Sequence, residues 1–325
     1  MTIYEMLEAE IMKSDLPLKE KNKRLSKLIR MRENQVNILL VGATGSGKSS
    51  TVNALFNMEV AKVGVGVDPE TDTITSYTLS NLVIWDTPGL GDSVENDEPY
   101  NLMLTKKLCE TDDDGKMVID LVLVVLDSST KDFRTTIDLI NDTIIPSLGD
   151  YAAGRILVGL NQADIAMKGN HWNSETNEPD EVLSDFLEKK AESVRKRINK
   201  STELNIEPVY YCAGYTEENG EQCKPYNLAK LLYYIIKSIP SEKRLGIVDN
   251  INKDKEVWIH NDDHIQYIRE IKKTFWDTVS DYIEETADTA GLIGESILGV
   301  PGKLVGYLIG GLFGLGKGIY YGIME

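Results

Sequence analysis

Cysteine and histidine are both scarce in this chain of 325 residues, with three of each. Cys109, Cys212 and Cys223 form no C-x-x-C pair and leave one over, which argues against a disulfide framework. His260 and His264 stand four apart with Asp262 and Asp263 between them, but no H-E-x-x-H and no compact third ligand accompany them. A zinc site is therefore not expected there, and a polar helix start is. Positive charge is also short. The 35 Lys+Arg face 52 Asp+Glu, a net charge of −17, which excludes indiscriminate binding to nucleic acid or anionic lipid through overall charge. The first fifteen residues are acidic where a secretory leader is basic, and no small-residue cleavage site follows an apolar run, so the expected location is cytoplasmic. No repeat occurs at a solenoid period. What the chain does have is apolar residues, 42% of the total, enough to build a core and to exclude a wholly disordered protein.

The pattern along the chain divides into four parts. Residues 1–34 read as two helices broken at Ser14-Asp15-Leu16-Pro17, with Pro17 placed to open the second. From Lys19 to Arg32 that second helix carries seven Lys/Arg and one Glu, with Leu25, Leu28 and Ile29 on one side. A basic amphipathic helix in an acidic protein is either a solvated helix packed on its neighbour or a contact for anionic lipid or RNA. Residues 35–240 alternate strands and helices. The expected strands are Val36–Val41, Ile74–Leu79, Leu82–Trp85, Leu121–Leu126, Ile156–Leu160 and Pro208–Tyr211, and helices are expected at about 48–56, 98–109, 134–145, 180–199 and 228–237. Continuous Val/Ile/Leu runs of this kind predict an α/β domain, doubly wound around a parallel sheet. Ser80-Asn81 is a turn of hairpin length, so one strand is expected to be antiparallel. Residues 241–290 form a helical extension, with Asn261-Asp262-Asp263 as a cap, and residues 291–325 a glycine-rich apolar tail.

The first expected strand runs directly into Gly42-Ala43-Thr44-Gly45-Ser46-Gly47-Lys48-Ser49 and then a helix. This is the G-x-x-x-x-G-K-S phosphate loop. Glycines let the backbone wrap a phosphate closely, Lys48 should reach the β/γ-phosphates, and Ser49 should give its hydroxyl to Mg²⁺. The following helix, beginning with Lys48, Ser49 and Ser50, turns its N-terminal dipole to the same anion. Asp86-Thr87-Pro88-Gly89 gives a D-x-x-G at a strand end, an acid placed to hold Mg²⁺ and a glycine N–H placed to sense a γ-phosphate. Asn161-Gln162-Ala163-Asp164 follows another strand, with Asn161 and Asp164 expected to read guanine. A carboxylate there can accept the N1–H and N2–H₂ of guanine, which adenine does not offer. Cys212-Ala213-Gly214 follows the last strand, where a backbone N–H could meet the guanine O6.

In order and spacing these four segments resemble the translation-factor class of P-loop GTPases, and within it the Era-like branch with its TrmE-type members. Gly47–Phe56 (GKSSTVNALF) is especially similar. The resemblance covers about residues 35–240 and implies a G domain that binds GTP or GDP with Mg²⁺ and acts as a switch. It also implies a threonine from the loop before the second strand in the Mg²⁺ shell, for which Thr71 is the first candidate and Thr73 the second. Three positions depart from the pattern. Gln162 stands where the fourth motif usually has Lys, Leu90 follows Gly89 where small signalling GTPases carry a water-orienting glutamine, and Gly45 stands where potassium-dependent members have Asn. Hydrolysis is therefore expected to be slow without a partner.

In the tail, Gly302, Gly306, Gly310, Gly314, Gly318 and Gly322 recur at a strict interval of four. On a helix they form one ridge that lets another helix approach closely. Residues 304–323 are long enough to cross a hydrocarbon core, but Lys317 lies inside them. Self-packing or homo-oligomer contact, membrane association and disorder all remain open for residues 291–325. Three roles follow for the whole chain: a soluble switch on ribosome or RNA, a dynamin-like or immunity-type GTPase at a membrane, and a GTP-gated scaffold that scarcely hydrolyses.

Overall fold

The computed structural model describes residues 2–56, 74–90, 97–215 and 224–284. The tail, Thr71 and Thr73, Cys223 and the loop 62–72 lie outside the described residues.

Two helices come first, α1 (Ile3–Lys13) and α2 (Leu18–Glu33), followed by β1 (Val36–Val41), α3 (Lys48–Phe56), β2 (Thr75–Thr78), β3 (Leu82–Asp86) and α4 (Asp97–Leu108). Then come β4 (Leu121–Asp127), α5 (Arg134–Leu139), a π-helical turn at Ile140–Ile144, and the short α6 (Ile145–Leu148) and α7 (Ala152–Arg155). β5 (Ile156–Asn161) leads to a two-strand ribbon, β6 (Trp172–Asn173) with β7 (Glu178–Pro179), and to the long α8 (Glu181–Thr202). The chain closes through β8 (Val209–Tyr210), α9 (Leu228–Ser238), α10 (Leu245–Val248) and α11 (His264–Glu284).

Six strands form one sheet in the order β2-β3-β1-β4-β5-β8, and only β2 is antiparallel to its neighbour. The expected α/β fold with one antiparallel strand is thus present. Alternation along the strands supplies both faces. Ile38, Leu40, Leu121, Leu123, Val125 and Leu157 join the core on one side, and Leu39, Val41, Val122, Val124, Val158 and Leu160 the core on the other. Buried on both faces, the strands need helices on both, as parallel sheets do. From β1 the chain goes to β3 on one side and then to β4 on the other, so the sheet's direction switches at β1, where α/β folds bind ligands beyond the strands' carboxyl ends.

The flanking helices share the first of these cores. Ile3, Tyr4 and Leu7 of α1, Leu28 and Met31 of α2, and Ile268, Ile271 and Phe275 of α11 pack with β1, α3 and α9. Thr2 and Glu5 form a reciprocal capping box on α1, and the Ile3 N–H donates to Asp249 Oδ1 at 2.9 Å. Asn252 donates its N–H to Leu55 O and its Nδ2 to Ala54 O, both at 2.9 Å, closing the carbonyl end of α3.

Local details differ from the expectations in three places. The helix expected over 134–145 contains the π-turn, in which the Ile145 N–H donates to Ile140 O, because Pro146 has no N–H to continue the ladder. Pro17 stands just before the first helical residue, in extended backbone with no side-chain cap. His260 precedes α11, which starts at His264, so only one of the two histidines belongs to the helix. The cap does form, with Asp263 Oδ1 accepting the Gln266 N–H at 3.1 Å.

Candidate nucleotide-binding site

All four predicted motifs reach the carboxyl edge of the sheet. Gly42–Ser49 leaves β1, Asp86 ends β3, Asn161 ends β5, and Cys212–Gly214 follows β8. Gly45 and Gly47 have φ of +76° and +87°, the left-handed region that glycine adopts without steric cost. Gly89 must be glycine for a different reason. A Cβ there would collide with the Thr44 hydroxyl and lie 2.8 Å from Thr44 Cα, so the D-x-x-G segment rests directly on the phosphate loop.

Three successive carbonyls of that loop are held from below by side chains. Gln162 Nε2 donates to Gly45 O at 2.7 Å, Asn161 Nδ2 to Ser46 O at 2.9 Å, and Thr51 Oγ1 to Gly47 O at 2.7 Å. In a trans peptide the N–H points opposite the C=O. Turning Ser46 O and Gly47 O into the protein therefore turns the N–H groups of Gly47 and Lys48 the other way, as a phosphate cradle requires. Asn161 is buried, and its Oδ1 also accepts the Ala213 N–H at 3.0 Å, so one side chain ties the phosphate loop to the segment after β8.

Lys48 is buried and folded back, its Nζ donating to Gly42 O at 2.9 Å and Ala43 O at 3.3 Å. Ser49 and Ser50 are half-buried in the first turn of α3. Burial pushes the Asp86 carboxyl above its usual value, while the Lys48 ammonium pulls it down. Asp86 Oδ1 is buried with no hydrogen-bond partner among the described residues, and the same holds for Ser46 Oγ. A buried carboxylate oxygen without a donor, one strand from a loop of anion-binding N–H groups, fits a hydrated divalent cation held between protein and phosphate.

Asp164 is half-buried, and the Ala163 N–H bonds to Tyr211 O at 3.1 Å, fixing the Asn161–Asp164 turn against the end of β8. The N–H groups of Cys212 and Ala213 are committed inside the protein, to Tyr226 O and Asn161 Oδ1. The Gly214 N–H turns to the Cys212 sulfur at 3.4 Å, a weak acceptor. Leu90 packs into the core, and its N–H bonds to Gly42 O at 3.2 Å.

Several residues at the site escape the motifs. Thr87 donates its hydroxyl to Leu40 O at 2.8 Å and accepts from Tyr100, whose phenol burial pushes up to about 12. Thr51 and Tyr211 lie beneath the loop, with hydroxyls 2.7 Å apart. For Tyr211 one sequence signal exists. Gly159 interrupts a Val/Leu strand, and a lone strand glycine marks close approach by another group. A Cβ there would lie 2.7 Å from Tyr211 Cε1.

A sequence model described as "50S ribosome-binding GTPase" matches residues 37–161. GTPase Der of Sulfurimonas denitrificans is 31% identical over 156 residues, 46% of this chain and 29% of Der. Human Septin-12 is 35% identical over 83 residues, 22% of this chain and 23% of the septin. The matches thus span less than a third of either relative's length. Among solved structures, Toc33 from Arabidopsis thaliana in complex with GDP and Mg²⁺ is 20% identical, with 74% of this chain and 94% of Toc33 covered at a TM-score of 0.42. Strand order, the placement of the four motifs and the match over residues 37–161 identify the central part of this chain as a GTP-binding P-loop GTPase G domain.

Proposed function

We propose that the protein hydrolyses GTP to GDP and phosphate as a Mg²⁺-dependent switch. The observation that carries this reading is the buried Asp86 Oδ1 beside Lys48, without a hydrogen-bond partner among the described residues. Gly42, Thr44, Gly45, Ser46 and Gly47 form the phosphate cradle, and Lys48 leaves its loop carbonyls for the β/γ-phosphates. Ser49 and Thr71 are the proposed direct metal ligands, with Asp86 acting through water. Mg²⁺, when bound, neutralises charge developing at the β–γ bridge. Gly89 offers its N–H to the γ-phosphate, Asp164 reads the guanine edge, and Gln162 lines the base through its aliphatic stem. Within Cys212-Ala213-Gly214, Gly214, whose N–H has only a sulfur acceptor among the described residues, is the group most easily turned to the guanine O6. Leu90 faces the core rather than an attacking water, which supports slow turnover unaided. The test is single-turnover GTP hydrolysis with Mg²⁺ or with chelator, alongside Lys48→Ala and Asp86→Ala. Wild-type turnover in both variants refutes the reading.

A second reading concerns location. Leu18 and Ile29 are 72% and 47% exposed on α2, beside exposed Lys19, Lys23 and Arg30. Apolar side chains protruding next to lysines and arginines suit an anionic lipid surface better than RNA, which favours aromatic platforms. Among the described residues no helix is long and apolar enough to cross a membrane. Residues 291–325, through their glycine ridge, would add membrane attachment or a homo-oligomer contact. Sedimentation with phosphatidylserine vesicles, with and without Leu18→Ser/Ile29→Ser, separates lipid from ribosome or RNA binding.

A further inference from the structure

The Thr51 hydroxyl has one proton, and it goes to Gly47 O at 2.7 Å. The bond between Thr51 Oγ1 and Tyr211 OH, also 2.7 Å, must then be donated by tyrosine. The chain Tyr211 O–H to Thr51 O–H to Gly47 C=O crosses from the end of β8 to the phosphate loop. The Tyr211 side chain is fully buried, burial pushes its phenol well above the usual value, and its ring lies over the bare Cα of Gly159. A tyrosine held that firmly costs a buried hydroxyl, and Thr51 is its hydrogen-bond partner.

We infer that Tyr211 is a positioning residue for nucleotide binding, acting through Thr51 to fix the Gly47–Lys48 peptide with its N–H toward the phosphate site. The inference rests on the nucleotide-binding reading above and extends it to a residue outside the four motifs. Gly47 accepts a second bond, from the Thr51 N–H at 2.9 Å, so the carbonyl belongs to the first turn of α3 as well. Hydrogen bonds in series polarise one another, and the phenol therefore strengthens the threonine's grip on the loop. Without it, the Thr51 hydroxyl can rotate away, and the Gly47–Lys48 peptide is held by the backbone bond of α3 alone. The segment after Tyr211 leaves the same strand end, so the loops for base and phosphate are held by adjacent residues just beyond β8.

The test uses the full chain and mant-labelled GDP, comparing Tyr211→Phe, Thr51→Val and the double variant with wild type. Both substitutions keep the shape of the side chain. Tyr211→Phe should release mant-GDP about threefold to tenfold faster, the range expected for one hydrogen bond. Thr51→Val should do at least as much, and the double variant should match Thr51→Val alone, because the tyrosine acts only through the threonine. Urea unfolding of the nucleotide-free proteins provides the readout for a purely structural role. If Tyr211→Phe lowers the urea midpoint and releases mant-GDP at the wild-type rate, the inference is overturned. Additive effects in the double variant overturn it equally. Lys48→Ala is the control for the underlying reading. Loss of binding in that variant with unchanged release in Tyr211→Phe rejects only the positioning role, whereas wild-type binding in Lys48→Ala rejects both.

Discussion

Replacing Asn161 with alanine removes the bonds from Nδ2 to Ser46 O and from the Ala213 N–H to Oδ1, 2.9 and 3.0 Å long and both buried. Each bond contributes about 1 kcal/mol net, and each partner left buried without a replacement costs about 1–3 kcal/mol. Water entering the vacated space offsets part of this, so the expected loss is about 2–4 kcal/mol, large for a single substitution. Gln162→Ala is the matched comparison. Gln162 also bonds a loop carbonyl, at 2.7 Å, but the bond is exposed and water can take its place. Its backbone is left-handed, with φ of +61°, and alanine keeps that cost, so the difference reports the side chain alone. The change expected for Gln162→Ala is within about 0.5 kcal/mol. Urea unfolding of the nucleotide-free proteins, with m held constant, measures both. Equal midpoints, or a loss below about 1 kcal/mol for Asn161→Ala, would refute the view that burial makes Asn161 the tie between the two loops.

Asp86 gives a prediction of opposite sign. Its folded-state carboxyl sits above the usual value because of burial, so the folded state binds the proton more tightly than the unfolded one. Stability then falls as pH rises through that interval and stays lower above it. Asp86→Asn should therefore raise the melting temperature of the ligand-free protein at neutral pH while abolishing the Mg²⁺ dependence of GDP affinity; a fall in melting temperature would contradict the burial argument. Asp164→Asn should weaken GTP binding and shift preference toward xanthosine nucleotides, whose C2 oxo group suits an amide donor, as competition titrations would show. In the tail, Gly310→Leu should disturb vesicle binding or self-association more than Gly311→Leu, which lies off the ridge; identical behaviour in sedimentation would make the four-residue interval accidental.

The phosphate loop was legible because its chemistry constrains consecutive residues. A strand, three glycines, a lysine and a helix must follow one another for the backbone to enclose a phosphate, and Val36–Ser49 satisfies this within one short stretch. The sheet was legible for a related reason. Strands covered on both faces are apolar at nearly every position, so β1, β4 and β5 stand out as runs. Gly89 was found as a motif member, but its contact with Thr44 was not, because the two are far apart in sequence.

What the sequence alone determined, then, is the set of local requirements: the motifs, their order, the antiparallel hairpin implied by Ser80-Asn81 and the basic face of α2. Tertiary structure decided how those pieces are held. Asn161 reads as a base-recognition residue in a four-residue motif, yet its amide spends both polar atoms joining Ser46 to Ala213. Thr51 and Tyr211 are 160 positions apart and outside the four nucleotide motifs, yet they meet beneath the phosphate loop. The flanking helices, separable by composition, share one core with the sheet. The physical reason is common to all three. Hydrogen bonds and packing across a sheet depend on which strands lie side by side, and strand order is a property of the folded chain that no window of sequence contains.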